Sequence, residues 1–204
     1  MPPSSGRRSS TSRISSGSGS SAVARPLPWH FPYVVERNSE DHPLGRTVLR
    51  PLVPVRVVGP GGVSTRYEAL IDSGSDYSLA APVVAMEAGV DVRRGRETRL
   101  RIGGGLRDVD VCDVELRLCD PGLADADGGC EASNSITWPA EVGFFRSWED
   151  PPFLIILGQV GFFNQFTILM SRLTQGIIVE ERDHLDSLAT FIGSSPDVPP
   201  RRRV

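Results

Sequence analysis

The stretch Ala69-Leu70-Ile71-Asp72-Ser73-Gly74-Ser75 carries a carboxylate from an apolar run straight into a turn of small residues. That order suits an acid–base group. A strand fixes where the carboxylate stands, Gly74 permits close backbone approach, and small neighbours leave room for a substrate. The Ser73 and Ser75 hydroxyls, with nearby amides, can hydrogen-bond the carboxylate and hold its orientation. Asp-Ser-Gly is also a common turn sequence, and alone it marks a loop. Two further features add weight. Phe153-Leu154-Ile155-Ile156-Leu157-Gly158 is a second apolar run ending in glycine, and a glycine-rich tip, Ile102-Gly103-Gly104-Gly105-Leu106, lies between the two.

Other chemistries find little support. The cysteines (Cys112, Cys119, Cys130) form no CxxC pair, and the histidines (His30, His42, His184) form no HExxH or close pair. No metal site and no cofactor are therefore expected. An odd cysteine count argues against a disulfide framework, so reduced thiols are expected, with Cys112 and Cys119 structural. A calcium loop starting at Asp72 is set aside, because Tyr77 occupies its glycine position and Val83 its closing glutamate position.

The elements that must position Asp72 are short strands. Val53, Val55 and Val57 alternate with Pro54 and Arg56, Pro60-Gly61-Gly62 supplies a turn, and Val63, Thr65, Tyr67, Ala69 and Ile71 continue the period-two pattern, so a β-hairpin is expected. Pro82 to Gly89 has the proline and glycine signals of a short helix. Glu97–Leu118 reads as two strands meeting at the glycine tip, with Cys112, Val114, Leu116 and Leu118 on one face of the second. Asp120–Ser133 is a Gly/Asp-rich loop, Ile136–Phe144 a strand, and Phe153–Leu157 a strand buried on both faces. A short helix is expected over Gly158–Phe166, strands at Thr167–Met170 and Gly176–Val179, and a last helix capped by Asp183 with Leu185, Leu188 and Phe191 inward.

With 204 residues, the chain fits one domain plus tails. A domain of this size buries ~70% of its unfolded surface and needs no staple. Residues 1–28 and 192–204 are Ser-, Gly-, Pro- and Arg-rich and read as disordered tails, leaving a domain at 29–191 with its core at about 53–179. The first tail holds Arg7, Arg8, Arg13 and Arg25 without an apolar segment, so no secretory signal is expected; a transit peptide shares this bias, but a plain tail is simpler. Arg201 to Arg203 could touch an anionic partner, though a solvated tail is again simpler. A net charge of −3 removes the bulk electrostatic case for nucleic acid, and no apolar run reaches the ~20 residues of a membrane span. A cytoplasmic location is expected. Trp29, Phe31 and Tyr33 alternate at the domain boundary, either covering a sheet edge or joining a dimer interface. Arg93, Arg94, Arg96, Arg99 and Arg101 read as a solvated face or as a recognition surface for an acidic partner.

Taken in order, these pieces resemble the retropepsin-like (retroviral-type) aspartic proteases, in particular the bacterial single-domain branch. The family pattern of an apolar pair followed by Asp-Ser/Thr-Gly-Ala/Ser is matched by Leu70-Ile71-Asp72-Ser73-Gly74-Ser75, and Asp76-Tyr77-Ser78-Leu79 looks like the bacterial continuation. The glycine tip is similar to the family's flap, Ile156-Leu157-Gly158 to its later apolar-apolar-Gly motif, and Gly161 to Phe166 to the short helix after that motif. The resemblance covers about Val53 to Val179 and implies a mostly-β fold: a closed barrel with one or two short helices and one Asp-Ser-Gly lobe per chain.

It further implies peptide-bond hydrolysis on a peptide or protein substrate. Asp72 would be catalytic, and Ser73 would bond across the base of the site. Gly74 would let two loops pack closely, and Ser75 would support the outer carboxylate oxygen. Ile102, Gly103, Gly104, Gly105 and Leu106 would cover bound peptide, and Ile156, Leu157 and Gly158 would pack beneath the Asp72 loop. This chemistry uses two carboxylates sharing one proton. Two charged ones ~3 Å apart would repel by roughly 5 kcal/mol at an effective dielectric near 20. Asp120-Pro121-Gly122 and Asp127-Gly128-Gly129 do not fit the motif, so the second carboxylate must come from a second chain, and a homodimer is implied. The departures are a longer span from Asp72 to Gly158, Gln159 where many relatives carry arginine or histidine, and Asp76, expected to face away and bond the turn. The rival reading is a protease-like dimerisation or peptide-binding module with little or no turnover.

Overall fold

Alternating apolar residues drive most of the described residues into strands. In a computed structural model describing residues 28–37, 47–102, 104–122, 130–148 and 152–181, the elements are, in chain order, β1 (Trp29–Pro32), β2 (Val34–Arg37), β3 (Thr47–Arg50), β4 (Leu52–Gly59), β5 (Gly62–Val63), β6 (Tyr67–Ile71), β7 (Ser78–Ala80), α1 (Pro82–Glu87), β8 (Arg96–Ile102), β9 (Gly105–Cys119), β10 (Ser135–Phe145), β11 (Ile155–Leu157), β12 (Phe166–Ser171) and β13 (Gly176–Glu181). Most of the tails, the helix expected from Asp183, Gly103 and part of the Asp120–Ser133 loop lie outside the described residues.

One sheet runs β5-β4-β6-β11-β7-β10-β9-β8, and β9 pairs a second time, with β4. That pairing closes β4, β6, β11, β7, β10 and β9 into a six-stranded barrel, which leaves those strands without free edges. The length of β9 makes closure possible. Its N-terminal part pairs with β8, Leu116 and Leu118 face Val57 and Val55 of β4, and its other side pairs with β10 from Val109 to Cys119. The expected inward face, Cys112, Val114, Leu116 and Leu118, is buried against Val53, Val55 and Val57.

The hairpin expected at Pro60-Gly61-Gly62 forms, with Val58 opposite Val63. It does not run on unbroken to Ile71. The Val57 amide donates to Ser64 Oγ at 2.9 Å, and this bond turns the chain between β5 and β6. The helix α1 starts on Pro82, and Gly89 beyond it has φ +64°. There a Cβ would stand 2.5 Å from the Gly61 Cα, and the Gly61 amide donates to the Ala88 carbonyl at 3.1 Å, so helix end and hairpin turn are in direct backbone contact.

Trp29 and Phe31 stand on β1, which pairs with β13 at one edge of the sheet β1-β13-β12 and so covers that strand, with both rings buried in the core of their own chain. Two expectations are corrected. Gly158–Phe166 is not a helix. Val160 forms a strand-like bridge with Tyr77, Gly161 takes φ +98°, and its carbonyl accepts the Trp138 indole N–H at 2.7 Å. These contacts hold the backbone out of the helical region and leave too few residues to nucleate a helix.

The second correction concerns cysteine. Cys119 and Cys130 form a disulfide, while Cys112 stays free and buried, its thiol pushed up chiefly by burial and then by the charges of Asp110, Asp113 and Asp91. Strand register made the pair. Ser135 faces Cys119 across β9 and β10, the turn at Ala132–Asn134 folds back, and the Asp120 amide donates to the Asn134 carbonyl at 3.0 Å. That geometry brings the two Cα atoms within 4.8 Å across 11 residues of sequence.

Closing a loop of this length should contribute about 2–3 kcal/mol. Cys130→Ser is expected to lower the denaturant midpoint accordingly, and a reductant should lower the wild-type midpoint to match without moving the variant's. Equal midpoints for wild type and variant under oxidising conditions would contradict this.

Candidate active site

Asp72 follows β6, whose last residues pair in parallel with β11: Leu70 faces Ile156 and Ile71 faces Leu157. Immediately after this pairing the Asp72 amide donates to the Leu157 carbonyl at 3.0 Å, so a buried strand sets the aspartate's backbone. The turn then closes on itself. The Gly74 amide donates to Asp72 Oδ1 at 2.9 Å and the Ser75 amide to the Asp72 carbonyl at 3.2 Å. Ser75 Oγ points elsewhere, donating to the Tyr77 carbonyl at 2.7 Å, and so the support expected from that hydroxyl comes from the Gly74 amide.

A short second ladder lies under the turn. The Gln159 amide donates to the Ser75 carbonyl and the Val160 amide to the Asp76 carbonyl, both at 2.9 Å, and Gln159 Nε2 donates to the Ser73 carbonyl at 2.7 Å. Ser78, fully buried, accepts the Gly158 amide on Oγ at 3.1 Å, and its own amide donates to the Val160 carbonyl at 2.8 Å. Gly158 sits at the crossing point, where a Cβ would run into the Tyr77 carbonyl and come within 2.7 Å of the Ser75 carbonyl. Ile156, Leu157 and Gly158 thus lie against the Asp72 loop. Gln159 and Ser78 are supports that the sequence reading missed. Gln159 was visible there only as the residue after Ile-Leu-Gly, and nothing marked Ser78 as buried.

The β8–β9 hairpin carries the glycine tip. Ile102 faces Gly105, leaving a two-residue turn in which Gly104 has φ +82°, a conformation that favours glycine. A cleft of about 140 Å³ takes Asp72, Gly74, Ser75 and Asp76 from the loop, Tyr77, Leu79 and Ile156 from the strands after it, and Leu100, Arg101 and Ile102 from the hairpin. Ser73, Gly105, Leu106, Leu157 and Gly158 do not line it. Asp76 was expected to face away but lines the cleft: the turn's bonds are already made by the amides of Gly74 and Ser75, and the extended backbone beyond leaves the Asp76 side chain exposed. In the arginine run, Arg94, Arg96 and Arg99 pair with Asp91, Glu141 and Asp108, whereas Arg101 borders the cleft. A larger cavity of about 590 Å³, lined in part by Asp91, Arg94 and Cys112, contains no residue of the Asp72 loop, so size does not locate the chemistry here. Among the described residues, no group of three or more His, Cys, Asp or Glu side chains is placed to hold a metal ion, and no helix is long and apolar enough to cross a membrane.

No family model matches the chain, and no curated protein matches it. Solved structures do. A retropepsin-like aspartic protease from Rickettsia conorii is 9% identical, the match covering 77% of this chain and 95% of that one with a TM-score of 0.40. The retroviral protease-like domain of Ddi1 from Leishmania major is 16% identical over 66% of this chain and 94% of that one, with a TM-score of 0.37. EIAV protease complexed with the inhibitor HBY-793 is 20% identical over 54% and 82%, with a TM-score of 0.29. The mostly-β architecture with its closed six-stranded barrel and one α-helix among the described residues is consistent with the retropepsin-like fold expected from the sequence.

The crossing at Gly158 yields a direct test. Gly158→Ala should lose about 1–3 kcal/mol, because the atoms it strikes are backbone and cannot move aside. At Gly74 an added Cβ would meet only the Asp72 side chain, at 3.2 Å, so Gly74→Ala should lose less. Thermal melts of the two variants should rank in that order.

Proposed function

We propose that this chain is an aspartic-type endopeptidase that works as a homodimer, with Asp72 of each subunit meeting on a two-fold axis. The observation that carries this reading is the Asp72 carboxylate, anchored by the Gly74 amide inside a cleft bordered by a glycine-tipped hairpin. Each chain holds one Asp-Ser-Gly, so the second carboxylate of the dyad comes from the partner. The catalytic unit is residues 29–191, and no cofactor enters the reaction.

In this mechanism the pair holds one proton between two carboxylates. The ionised Asp72 takes a proton from water as the water oxygen attacks the peptide carbonyl carbon. The protonated Asp72 of the other subunit gives its proton to the carbonyl oxygen, forming a tetrahedral diol. On collapse one carboxyl gives its proton to the leaving nitrogen as the C–N bond breaks, the other carboxylate takes a proton from a diol hydroxyl, and the dyad ends with one proton as it began. Ser73 bonds across the dimer beneath the dyad, and Gly74 allows the two loops to approach. Ser75 braces the loop through Tyr77, and Ile102 to Leu106 close over the peptide. In a reducing cytoplasm the Cys119–Cys130 bond would be open. Catalysis does not depend on that bond, which lies at the opposite end of β9 from the hairpin tip.

The test is cleavage of an unbiased peptide library between about pH 3 and 7, with Asp72→Asn compared at matched dimer concentration. The substitution should cost roughly 10²–10⁴-fold in rate while dimerisation persists. Cleavage that survives Asp72→Asn, or an active monomer, would overturn the proposal. A folded dimer that cleaves nothing would favour a peptide-binding module.

A further inference from the structure

The hairpin bordering the Asp72 cleft is built with a charge conflict. Strand register sets Glu97 of β8 directly opposite Asp110 of β9, and like charges in that position repel. The Asp110 side chain is only 6% exposed, tucked beneath its neighbours. One cation resolves the conflict. Arg146, the residue after β10, places Nε 2.9 Å from Asp110 Oδ2 and Nη2 2.8 Å from Asp110 Oδ1, and the same Nη2 lies 3.4 Å from Glu97 Oε2. Among the described residues no other cation is bonded to either carboxylate. The Arg146 guanidinium holds the Asp110 carboxyl below its ordinary range, burial working the other way.

The neighbours of Arg146 bind the hairpin by a second means. Phe145 stacks on Trp148 with ring centroids 4.2 Å apart, and it forms a buried cluster with Leu79, Val109 and Val111. Leu100 and Ile102 of the hairpin pack against that cluster, and both line the Asp72 cleft. A single segment therefore joins both strands of the hairpin to the wall of the site.

We propose that Arg146 is a positioning residue for this hairpin: by bridging Glu97 and Asp110 it fixes how β8 and β9 stand over Asp72. Its effect on turnover rests on the endopeptidase reading above; its effect on the hairpin does not. In the full chain, Arg146→Met should speed amide hydrogen exchange along Arg96–Ile102 by at least about tenfold while β4 and β6 amides stay protected. Adding Glu97→Gln to that variant should recover a large part of the protection, because one of the two repelling charges is gone. Arg146→Lys should recover less than wild type, since an ammonium keeps the charge but loses the two-pronged bond. With a cleavable peptide, Arg146→Met should raise KM severalfold and leave kcat within about twofold.

Unchanged exchange in Arg146→Met would overturn the proposal. So would a double variant no better protected than Arg146→Met, which would reduce Arg146 to packing. If Arg146→Met loses the whole barrel, folding regained in the double variant supports the charge bridge, and failure of both overturns it. Absence of peptide cleavage by the wild type would count against the endopeptidase reading and leave the exchange result intact.

Discussion

The site depends on a backbone crossing. The Asp72–Ser78 passage lies over Leu157–Val160, tied to it by amides from Asp72, Gln159, Val160 and Ser78 and separated at its tightest point by the hydrogen of Gly158. Hydrogen bonds of this kind are modest one at a time but costly to leave unmade in a buried place, so the two passages hold each other in one register. The carboxylate of Asp72 inherits its position from that register. Its own contact within the turn is one amide bond, from Gly74 to Oδ1, while the Ser75 amide binds the backbone carbonyl of the same residue. Rigidity comes from beneath, which leaves the upper side of the carboxylate open to the cleft.

β9 does the complementary work. Its 15 residues serve as a barrel stave at one end and as half of a projecting hairpin at the other, so one continuous strand links barrel and hairpin. The two halves are held differently. At the barrel end the inward face is apolar and fully buried, and closure of the sheet satisfies both edges of the strand. Toward the tip the pairing is only two-stranded, and charged cross-strand partners such as Arg99 with Asp108 take over. Ion pairs at this exposure contribute little and are screened by salt, so this end is the more easily displaced. A stiff floor under Asp72 and a yielding hairpin above it follow from one strand changing its partners.

Much of this was legible in the residues. The alternation at Val53, Val55 and Val57, the inward set from Cys112 to Leu118 and the turns at Pro60-Gly61-Gly62 and Ile102–Leu106 located most of the barrel strands and the hairpin, because side-chain period and turn chemistry act over a few neighbouring residues. The failures share a cause. The helix expected at Gly158–Phe166 followed from the family resemblance, yet Tyr77 and Trp138, distant in sequence, supply the partners that hold the segment in another shape. The strands β2 and β3 were not anticipated either. Each has four residues, and their pairing, with Glu36 against Arg50 at 3.1 Å, exists only once the intervening chain returns.

The chemistry on offer is written in neighbouring residues: one Asp-Ser-Gly in a setting of small residues, a glycine-rich tip, an apolar run ending in glycine, and alternation that commits the chain to strands. These are properties of adjacent residues, and local sterics and burial are enough to express them. Which distant groups meet is settled by the folding of the whole chain. It put Gln159 and Ser78 under the Asp72 loop and turned Asp76 into the cleft. It also joined Cys119 to Cys130 and set Glu97 against Asp110 with Arg146 between them. Each of these follows from strand register and barrel closure, which arise from the packing of the whole chain and leave no mark in any short stretch of sequence.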